Sequence, residues 1–129
     1  MPLLRFDLIE GRSDAELRAL LDAAHEAMLE SFGVPPRDRY QIVHEHKASR
    51  IIVEDTGLGI PRTEKVVVLQ VTSRPRSRSM KEAFYRSLVK KLEARCGVKP
   101  TDVFVNFVIN TDEDWSFGLG RAQFLTGDL

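Results

Sequence analysis

The sequence predicts an α+β fold: two similar strand–helix–strand units form a four-stranded mixed sheet with two helices on one face, flanked by short extra strands. The motif Gly-Val-x-Pro-x-Asp occurs at 33–38 and again 64 positions later, at 97–102. Each copy follows a segment with apolar residues at spacings of three and four, which is typical of a helix packed on one side. A motif repeated together with its helix indicates a duplicated unit. We therefore expect a single domain over residues 1–129, with repeat halves at about 2–58 and 66–122.

The first half is predicted as a strand, a helix, a second strand and a short third strand. LLRFDLI at 3–9 is rich in β-forming residues. Ser13 followed by Glu16 is typical of a capping box, so the helix should run over about 14–32 and end at Gly33. RYQIVHEH at 39–46 is the second strand, and RIIVE at 50–54 is the expected extra strand.

The second half repeats this order. KVVVLQVTS at 65–73 is its first strand. Ser79 followed by Glu82 predicts another capping box, with a helix over about 79–95 that ends at Gly97. VFVNFVIN at 103–110 is the second strand, and a short strand is expected around Trp115–Phe117.

Composition narrows the class of protein. The chain has 43% hydrophobic and 29% charged residues, and 19 basic residues balance 19 acidic ones. This is a globular composition without a net charge that would attract nucleic acid or an anionic membrane. The single cysteine excludes an internal disulfide, and no apolar run approaches the roughly 20 residues of a membrane helix. With no signal peptide at its start, the chain is expected to be cytoplasmic, with no membrane or nucleic-acid partner.

The predicted topology brings four distant residues to one end of the sheet. A strand–helix–strand crossover makes the two strands of each half parallel neighbours. If a two-fold axis relates the halves, their first strands meet antiparallel at the centre. The start of the chain then lies beside the end of the third strand, so that Pro2, Asp38, Arg74 and Arg76 converge.

Pro2 is the first candidate catalytic residue. Methionine aminopeptidases remove Met1 before a small residue such as proline, which leaves Pro2 with a free secondary amine. A Met-Pro start can also be an accident of the start-codon context. The predicted convergence with two arginines favours the functional interpretation, in which the amine acts either protonated, as a hydrogen-bond donor, or neutral, as a nucleophile.

Arg74 and Arg76 flank Pro75, so in extended backbone both guanidinium groups project to one face. Paired guanidinium groups suit a carboxylate, which they hold through two hydrogen bonds. The alternative is a solvated basic loop, RPRSRS, that binds phosphate or nucleic acid. Asp38 also has a simpler interpretation, since it can turn the chain before the second strand as Asp102 does in the repeat.

The remaining reactive side chains favour structural roles. His44 and His46 share one strand face but lack a third ligand at suitable spacing, so a surface pair is expected and no metal site. Cys96 lies on the apolar stripe of the second helix, where it is more typical of core than of a nucleophile.

The tail DWSFGLGRAQFLTGDL carries three of the ten aromatic residues, Trp115, Phe117 and Phe124. Such a segment either packs on its own subunit or lines a pocket or subunit contact. A sheet covered by helices on one face needs a cover for the other, which favours a symmetric assembly.

The amino-terminal proline, the duplicated halves and the segments GVPPRDRYQ, SRPRS and DWSFGLGRAQFLTGDL resemble the tautomerase superfamily, and within it the malonate semialdehyde decarboxylases. The likeness in fold covers nearly the whole chain, whereas residues 44–65 carry no motif of the family. The resemblance implies a homotrimer and a cofactor-independent carboxy-lyase that acts on a small carboxylate, 3-oxopropanoate. It implies Pro2 as the catalytic group, Asp38 as its partner, Arg74 and Arg76 as carboxylate binders, and an apolar wall formed by Trp115, Phe117, Phe124 and Leu129.

Other functions stay open on this scaffold. One is a hydratase or dehalogenase that adds water to an acetylenic or halogenated acid, although Glu113 is a poor candidate for its water-activating acid. A second is a tautomerase of 2-oxo acids. A third is a trimeric binding protein without catalysis, in which the Met-Pro start is incidental.

Overall fold

The computed structural model describes residues 1–129 and contains a four-stranded sheet in the order β2-β1-β3-β4. The strands are β1 (Leu3–Ile9), β2 (Tyr40–His46), β3 (Val67–Ser73) and β4 (Val103–Ile109). β1 and β3 pair antiparallel at the centre, and each pairs in parallel with the second strand of its own half. This arrangement confirms the predicted fold class and the predicted antiparallel meeting of the two halves.

Two long helices, α1 (Asp14–Phe32) and α2 (Arg78–Cys96), pack against each other, and a short helix, α3 (Gln123–Thr126), follows β4. The predicted capping box of α1 is confirmed, because Ser13 and Glu16 each accept the backbone N–H of the other. Both long helices end at a glycine in the left-handed region, Gly33 at φ 64° and Gly97 at φ 65°, as predicted. None of the helices combines the length and apolar character needed to cross a membrane.

The capping box predicted for α2 is wrong. The helix begins one residue earlier than expected, and its N-cap is Ser77, whose hydroxyl accepts the Met80 N–H at 3.2 Å. Glu82 does not reach the backbone of the N-cap and pairs instead with Arg78, the first residue of the helix, at 2.9 Å. An i,i+4 ion pair on the exposed face therefore replaces the reciprocal cap.

The short extra strands predicted at 50–54 and around Trp115–Phe117 are absent from the chain. Ile51 and Trp115 do have extended backbone, with φ, ψ of −139°, 127° and −124°, 128°. Each follows a single 3₁₀ turn, Ala48–Arg50 or Asp112–Asp114, and no strand of the chain runs alongside. Extended residues without a neighbouring strand form no ladder of hydrogen bonds, so the sheet keeps four strands.

The core lies between the sheet and the helices. Alternate residues of β1 and β3 point to the helices, and their side chains are at most 2% exposed: Leu4, Phe6, Leu8, Val67, Leu69 and Val71. From the helices, Leu20, Met28, Phe84, Leu88 and Leu92 fill the same layer. The other face of the sheet carries large side chains that are 37–42% exposed, namely Tyr40, Ile42, Phe104 and Val108. One face of the sheet is thus covered and the other leaves apolar area in contact with water.

Candidate active site

The strand registers determine where the chain begins. Leu3 lies opposite Thr72 in β3 and opposite Tyr40 in β2. Continuing both registers by two residues brings the amino terminus beside Arg74 and Asp38. Pro2, which directly precedes β1, is buried at this end of the sheet.

The amino terminus shares its electrostatic environment with the predicted site residues. Burial is the largest influence and lowers the pKa of the terminal amine, here that of Met1, to about 6. Arg76 and Arg74 act in the same direction, whereas Asp38 and Asp112 act against it. The structure therefore brings the terminus together with both arginines and Asp38, and at the Met1 amine burial and two cations outweigh the two carboxylates.

The two arginines are held by different neighbours. Arg76 Nε donates to the Ser73 hydroxyl at 3.0 Å, and its guanidinium carbon lies 5.1 Å from the centre of the Phe32 ring. Burial, followed by the nearby Arg74, lowers the pKa of Arg76. A guanidinium stays charged in proteins, so a buried cation next to another one favours the binding of an anion.

Arg74 lies between a carboxylate and an aromatic ring. Its Nε is 2.7 Å from Asp112 Oδ1, and its guanidinium carbon lies 4.1 Å from the centre of the Phe124 ring. The ring contact is within the range of a cation–π interaction. Asp112 therefore orients one edge of the guanidinium while the ring supports its face.

Asp38 carries an unpaired oxygen at this end of the sheet. The residue is 9% exposed, and its Oδ2 is buried without a hydrogen-bond donor from the chain. Its repeat counterpart Asp102 is satisfied, because Oδ1 accepts the Thr63 N–H at 2.7 Å and Oδ2 accepts the Thr63 hydroxyl. A buried carboxylate oxygen without a donor is costly, which favours a functional interpretation of Asp38 over that of a simple turn residue.

The aromatic residues of the tail form a continuous cluster. Trp115 stacks on Phe117 with ring centres 5.7 Å apart. Phe117 and Phe124 meet edge to face, with ring centres 5.4 Å apart. Tyr40 adds a fourth ring, 5.8 Å from Phe117. We call Tyr40, Trp115, Phe117 and Phe124 the aromatic wall. Through Phe124 it reaches Arg74.

Leu129, also predicted for this wall, is 63% exposed, and its backbone N–H donates to the Gln123 carbonyl at 3.3 Å. Its side chain is therefore not part of the aromatic cluster within the single chain, and its role stays a prediction.

Three residues of the site are missing from the sequence analysis: Ser73, Asn110 and Asp112. They hold Arg76, Trp115 and Arg74, respectively. Their repeat counterparts, 64 positions earlier, are Ile9, His46 and Ala48. Such departures from the internal repeat next to the arginine pair are the signal that could have identified them.

The other candidate residues lie away from this site. His46 Nε2 is 2.6 Å from Asp7 Oδ1, and His44 Nδ1 is 3.9 Å from the same oxygen. No group of three potential metal ligands occurs in the chain. Cys96 is a half-buried free thiol whose pKa is raised by burial, so it is not a nucleophile at neutral pH.

Models of known protein families match most of the chain. Two family models, both described as "Tautomerase enzyme", match residues 38–118 and residues 2–60. The chain belongs to the tautomerase family. Among curated relatives of this tautomerase, the "Probable tautomerase YrdN" of Bacillus subtilis (strain 168) is 58% identical over 129 residues, all of both chains.

Solved structures of related tautomerases are similar over nearly the whole chain. A malonate semialdehyde decarboxylase, studied for its decarboxylase and hydratase activities, is 57% identical, has a TM-score of 0.97 and matches over 98% of both chains. FG41 malonate semialdehyde decarboxylase, inhibited by 3-bromopropiolate, is 41% identical over 98% of this chain and 97% of its own, with a TM-score of 0.94. A symmetric trimer of a fused 4-OT is 25% identical over 97% of this chain and 98% of its own, with a TM-score of 0.78.

Proposed function

We propose that this tautomerase-family enzyme is a decarboxylase that converts malonate semialdehyde, 3-oxopropanoate, to acetaldehyde and CO₂ without a cofactor. The observation that carries the proposal is the meeting of the amino terminus with Asp38, Arg74 and Arg76 at one end of the sheet. The likeness to two malonate semialdehyde decarboxylases supports the choice of substrate. The work on the first of them includes a variant of its first-residue proline, which supports Pro2 as the reacting group.

In this proposal Arg74 and Arg76 hold the substrate carboxylate. The bond between C1 and C2 breaks, its electron pair forms an enolate, and a proton then adds to C2 to give acetaldehyde. The arginines keep the carboxylate turned so that the breaking bond overlaps the carbonyl π system. Asp112 and Ser73 limit the positions that the guanidinium groups adopt, through contacts of 2.7 and 3.0 Å.

Pro2, once Met1 is removed, stabilises the negative charge that develops on the aldehyde oxygen. In the first route its amine is protonated and donates a hydrogen bond to that oxygen. The unpaired Oδ2 of Asp38 supports this route, since a positively charged amine would satisfy it.

In the second route the neutral amine attacks the aldehyde carbon, and water leaves to give an iminium ion. The iminium then accepts the electrons of the breaking bond to give CO₂ and an enamine, a proton adds to C2, and hydrolysis of the resulting iminium releases acetaldehyde and returns Pro2. Burial and the two arginines lower the pKa of the Met1 amine, and the same neighbours would favour a neutral amine on Pro2, which supports this route. Borohydride reduction during turnover distinguishes the two, because only the iminium leaves a stable adduct on Pro2.

The aromatic wall provides an apolar surface beside the arginines. Ground-state substrate carries a full carboxylate charge, whereas the departing CO₂ is neutral and fits an apolar surface better. The 4.1 Å contact between Arg74 and the Phe124 ring joins the wall to the carboxylate-binding group.

The test is release of acetaldehyde and CO₂ from 3-oxopropanoate by the Met1-free enzyme. We expect Pro2→Ala to lower kcat by at least about 100-fold, and Arg74→Gln or Arg76→Gln to raise KM and lower kcat/KM. Arg78→Gln is the matched control, because Arg78 belongs to the same basic stretch but is 93% exposed and paired with Glu82. A wild-type enzyme without decarboxylation, or an active Pro2→Ala variant, would refute the proposal.

Hydration is the second candidate function. Its support is the buried, unpaired Asp38 Oδ2, a carboxylate oxygen that can accept a proton from water, together with the hydratase activity of the 57% identical relative. Addition of water to 3-bromopropiolate or 2-oxo-3-pentynoate tests it, with Asp38→Asn as the variant that should lose the reaction. The name of YrdN supports tautomerisation as a third candidate reaction. A 2-oxo acid tested beside the other substrates would detect it.

Intact mass tests the non-catalytic alternative, a trimeric binding protein. Retention of Met1 in the purified protein blocks the nitrogen of Pro2 in a peptide bond and would leave only the binding function. Loss of Met1 is the result expected for an enzyme.

The assembly that fits this function is a homotrimer. The uncovered face of the sheet exposes Tyr40, Ile42, Phe104 and Val108, and a trimeric fused 4-OT shares the fold. Light scattering should give about three times the chain mass of 14.6 kDa. Ile42→Asp is expected to dissociate the trimer, whereas Met80→Asp, a similarly exposed apolar position on α2 and away from the sheet, measures the effect of an added charge alone.

A further inference from the structure

Asn110 connects the arginine pair to the aromatic wall. It follows β4, and its backbone N–H donates to the Ser73 carbonyl at 2.9 Å. Its side-chain oxygen accepts the Trp115 indole N–H at 2.7 Å. The Ser73 hydroxyl in turn holds Arg76 Nε at 3.0 Å. A single residue thus ties the strand that ends at the arginines to the first ring of the wall.

The position of Trp115 affects the far side of the site through direct contacts. Its ring stacks on Phe117 with an angle of 14° between the planes, and Phe117 meets Phe124 at 80°. Phe124 lies under the guanidinium of Arg74. A change in the indole orientation therefore moves rings that border the arginine pair, since stacked aromatic contacts depend on geometry.

The internal repeat shows that this link is not needed by the fold. Asn110 corresponds to His46 and Ser73 to Ile9, although both halves build the same strand–helix–strand unit. In the first half His46 binds Asp7 instead of an aromatic residue. The polar pair Ser73 and Asn110 thus occurs only at the end of the sheet that carries the chain start.

We infer that Asn110 is a positioning residue that fixes Trp115, and with it the aromatic wall, against the arginine pair and thereby determines the size of the oxo acid that the site accepts. The inference rests on the proposed function for its substrate class. A small, fixed wall accepts 3-oxopropanoate and rejects 3-oxobutanoate, which carries one more methyl group. Discrimination of one methyl or methylene group by a fixed pocket reaches about 10- to 200-fold.

The kinetic experiment compares kcat/KM for 3-oxopropanoate and 3-oxobutanoate. We expect Asn110→Ala to reduce the preference for the smaller acid about tenfold, mainly through a gain on the larger one. Asn110→Asp keeps an oxygen acceptor for the indole and should retain the preference. Asn106→Ala is the matched control, because Asn106 is an exposed asparagine of β4, the strand that Asn110 follows, and its side chain forms no hydrogen bond.

A double-mutant cycle with Trp115→Phe isolates the link, because phenylalanine has no N–H to donate. In that background Asn110→Ala should change the preference no further. Equal effects of Asn110→Ala with and without the indole would overturn the inference, as would an unchanged preference in the single variant.

Fluorescence provides a readout that does not depend on turnover, since Trp115 is the only tryptophan. Asn110→Ala should shift its emission and increase its quenching by acrylamide, while Asn106→Ala and Asn110→Asp should not. An enzyme inactive on both oxo acids but with this fluorescence pattern would refute the proposed decarboxylation and leave the positioning of Trp115 intact. Wild-type fluorescence in folded Asn110→Ala would refute the positioning itself.

Discussion

The Asp112 carboxylate lies 2.7 Å from Arg74 Nε. Within the chain, this is the only ion pair that either Arg74 or Arg76 forms. Both side chains are partly exposed, at 37% for Arg74 and 47% for Asp112. The pair therefore contributes little to stability. Its effect is geometric, because it occupies one edge of the guanidinium and leaves the opposite edge for a ligand.

Separate effects of charge and position are expected at Asp112. Asp112→Asn keeps an oxygen acceptor for Arg74 but removes a negative charge that competes with the substrate carboxylate, so KM should fall about twofold. Asp112→Ala removes the acceptor as well, so kcat should fall about tenfold because Arg74 is no longer oriented. Steady-state kinetics on 3-oxopropanoate measure both, and equal values for the two variants would contradict this assignment.

The pKa of the terminal amine should respond to its neighbours in opposite directions. Arg76 lowers this pKa and Asp38 raises it, since a nearby cation disfavours the ammonium form and an anion favours it. We expect Arg76→Gln to raise the pKa of the Pro2 amine and Asp38→Asn to lower it. NMR titration of ¹⁵N-proline-labelled, Met1-free protein measures the shift. The exposed Arg78→Gln serves as reference, and a comparable shift there would show a non-local effect.

Phe32 should matter to the site beyond its part in the core. It packs on Phe84 with ring centres 5.3 Å apart, but only Phe32 lies against Arg76. Phe32→Leu and Phe84→Leu should each cost about 1–2 kcal/mol of unfolding free energy. Loss of the cation–π contact should raise KM two- to fivefold in Phe32→Leu alone. Chemical denaturation and kinetics on both variants provide the comparison, and matching KM values would contradict it.

The ion pair between the helices should make stability depend on pH. Arg95 donates two hydrogen bonds to Glu26 and, as the largest influence, lowers the pKa of Glu26 to about 2. Because the folded pKa lies below the unfolded value of about 4.3, the contribution is complete above that value and disappears as pH falls towards 2. Glu26→Gln should therefore lower Tm at pH 7, with a difference that shrinks between pH 4.5 and 2.5.

Glu93→Gln is the control for this effect, because Glu93 is an exposed glutamate of α2 whose side chain forms no ion pair. A difference in Tm between Glu26→Gln and wild type that stays constant down to pH 2.5 would exclude the ion pair as its source.

The fold was largely predictable because local signals and the repeat agree. Gly33 and Gly97 end two helices at equivalent positions, and the crossover rule then determines the strand order. The start of α2 was mispredicted because Ser77 and Ser79 are both suitable caps, and only the structure shows which hydroxyl accepts a backbone N–H. The extra strands were mispredicted because pairing depends on a neighbour that a single chain does not contain.

The site was predictable where topology alone determines position, as for Asp38 and the two arginines. Asp112 and Asn110 were missed because they follow β4, the last strand. The alternation of side chains along a strand does not predict where side chains point beyond its end, and the contacts of these two residues depend on that direction. The protonation state of the Pro2 amine is not determined by the sequence, for a related reason. Proximity to Asp38 follows from the topology, but the degree of burial that outweighs it does not.

The antiparallel pairing of β1 and β3 also limits how many reaction centres one polypeptide can hold. The position equivalent to Pro2 at the opposite end of the sheet is Val66, whose nitrogen belongs to a peptide bond and can never ionise. A chain that contains both halves therefore has one free terminal amine, whereas two separate halves would have two. Val66 is instead a buried apolar residue, 3% exposed, and active-site titration should count one reactive terminus per chain.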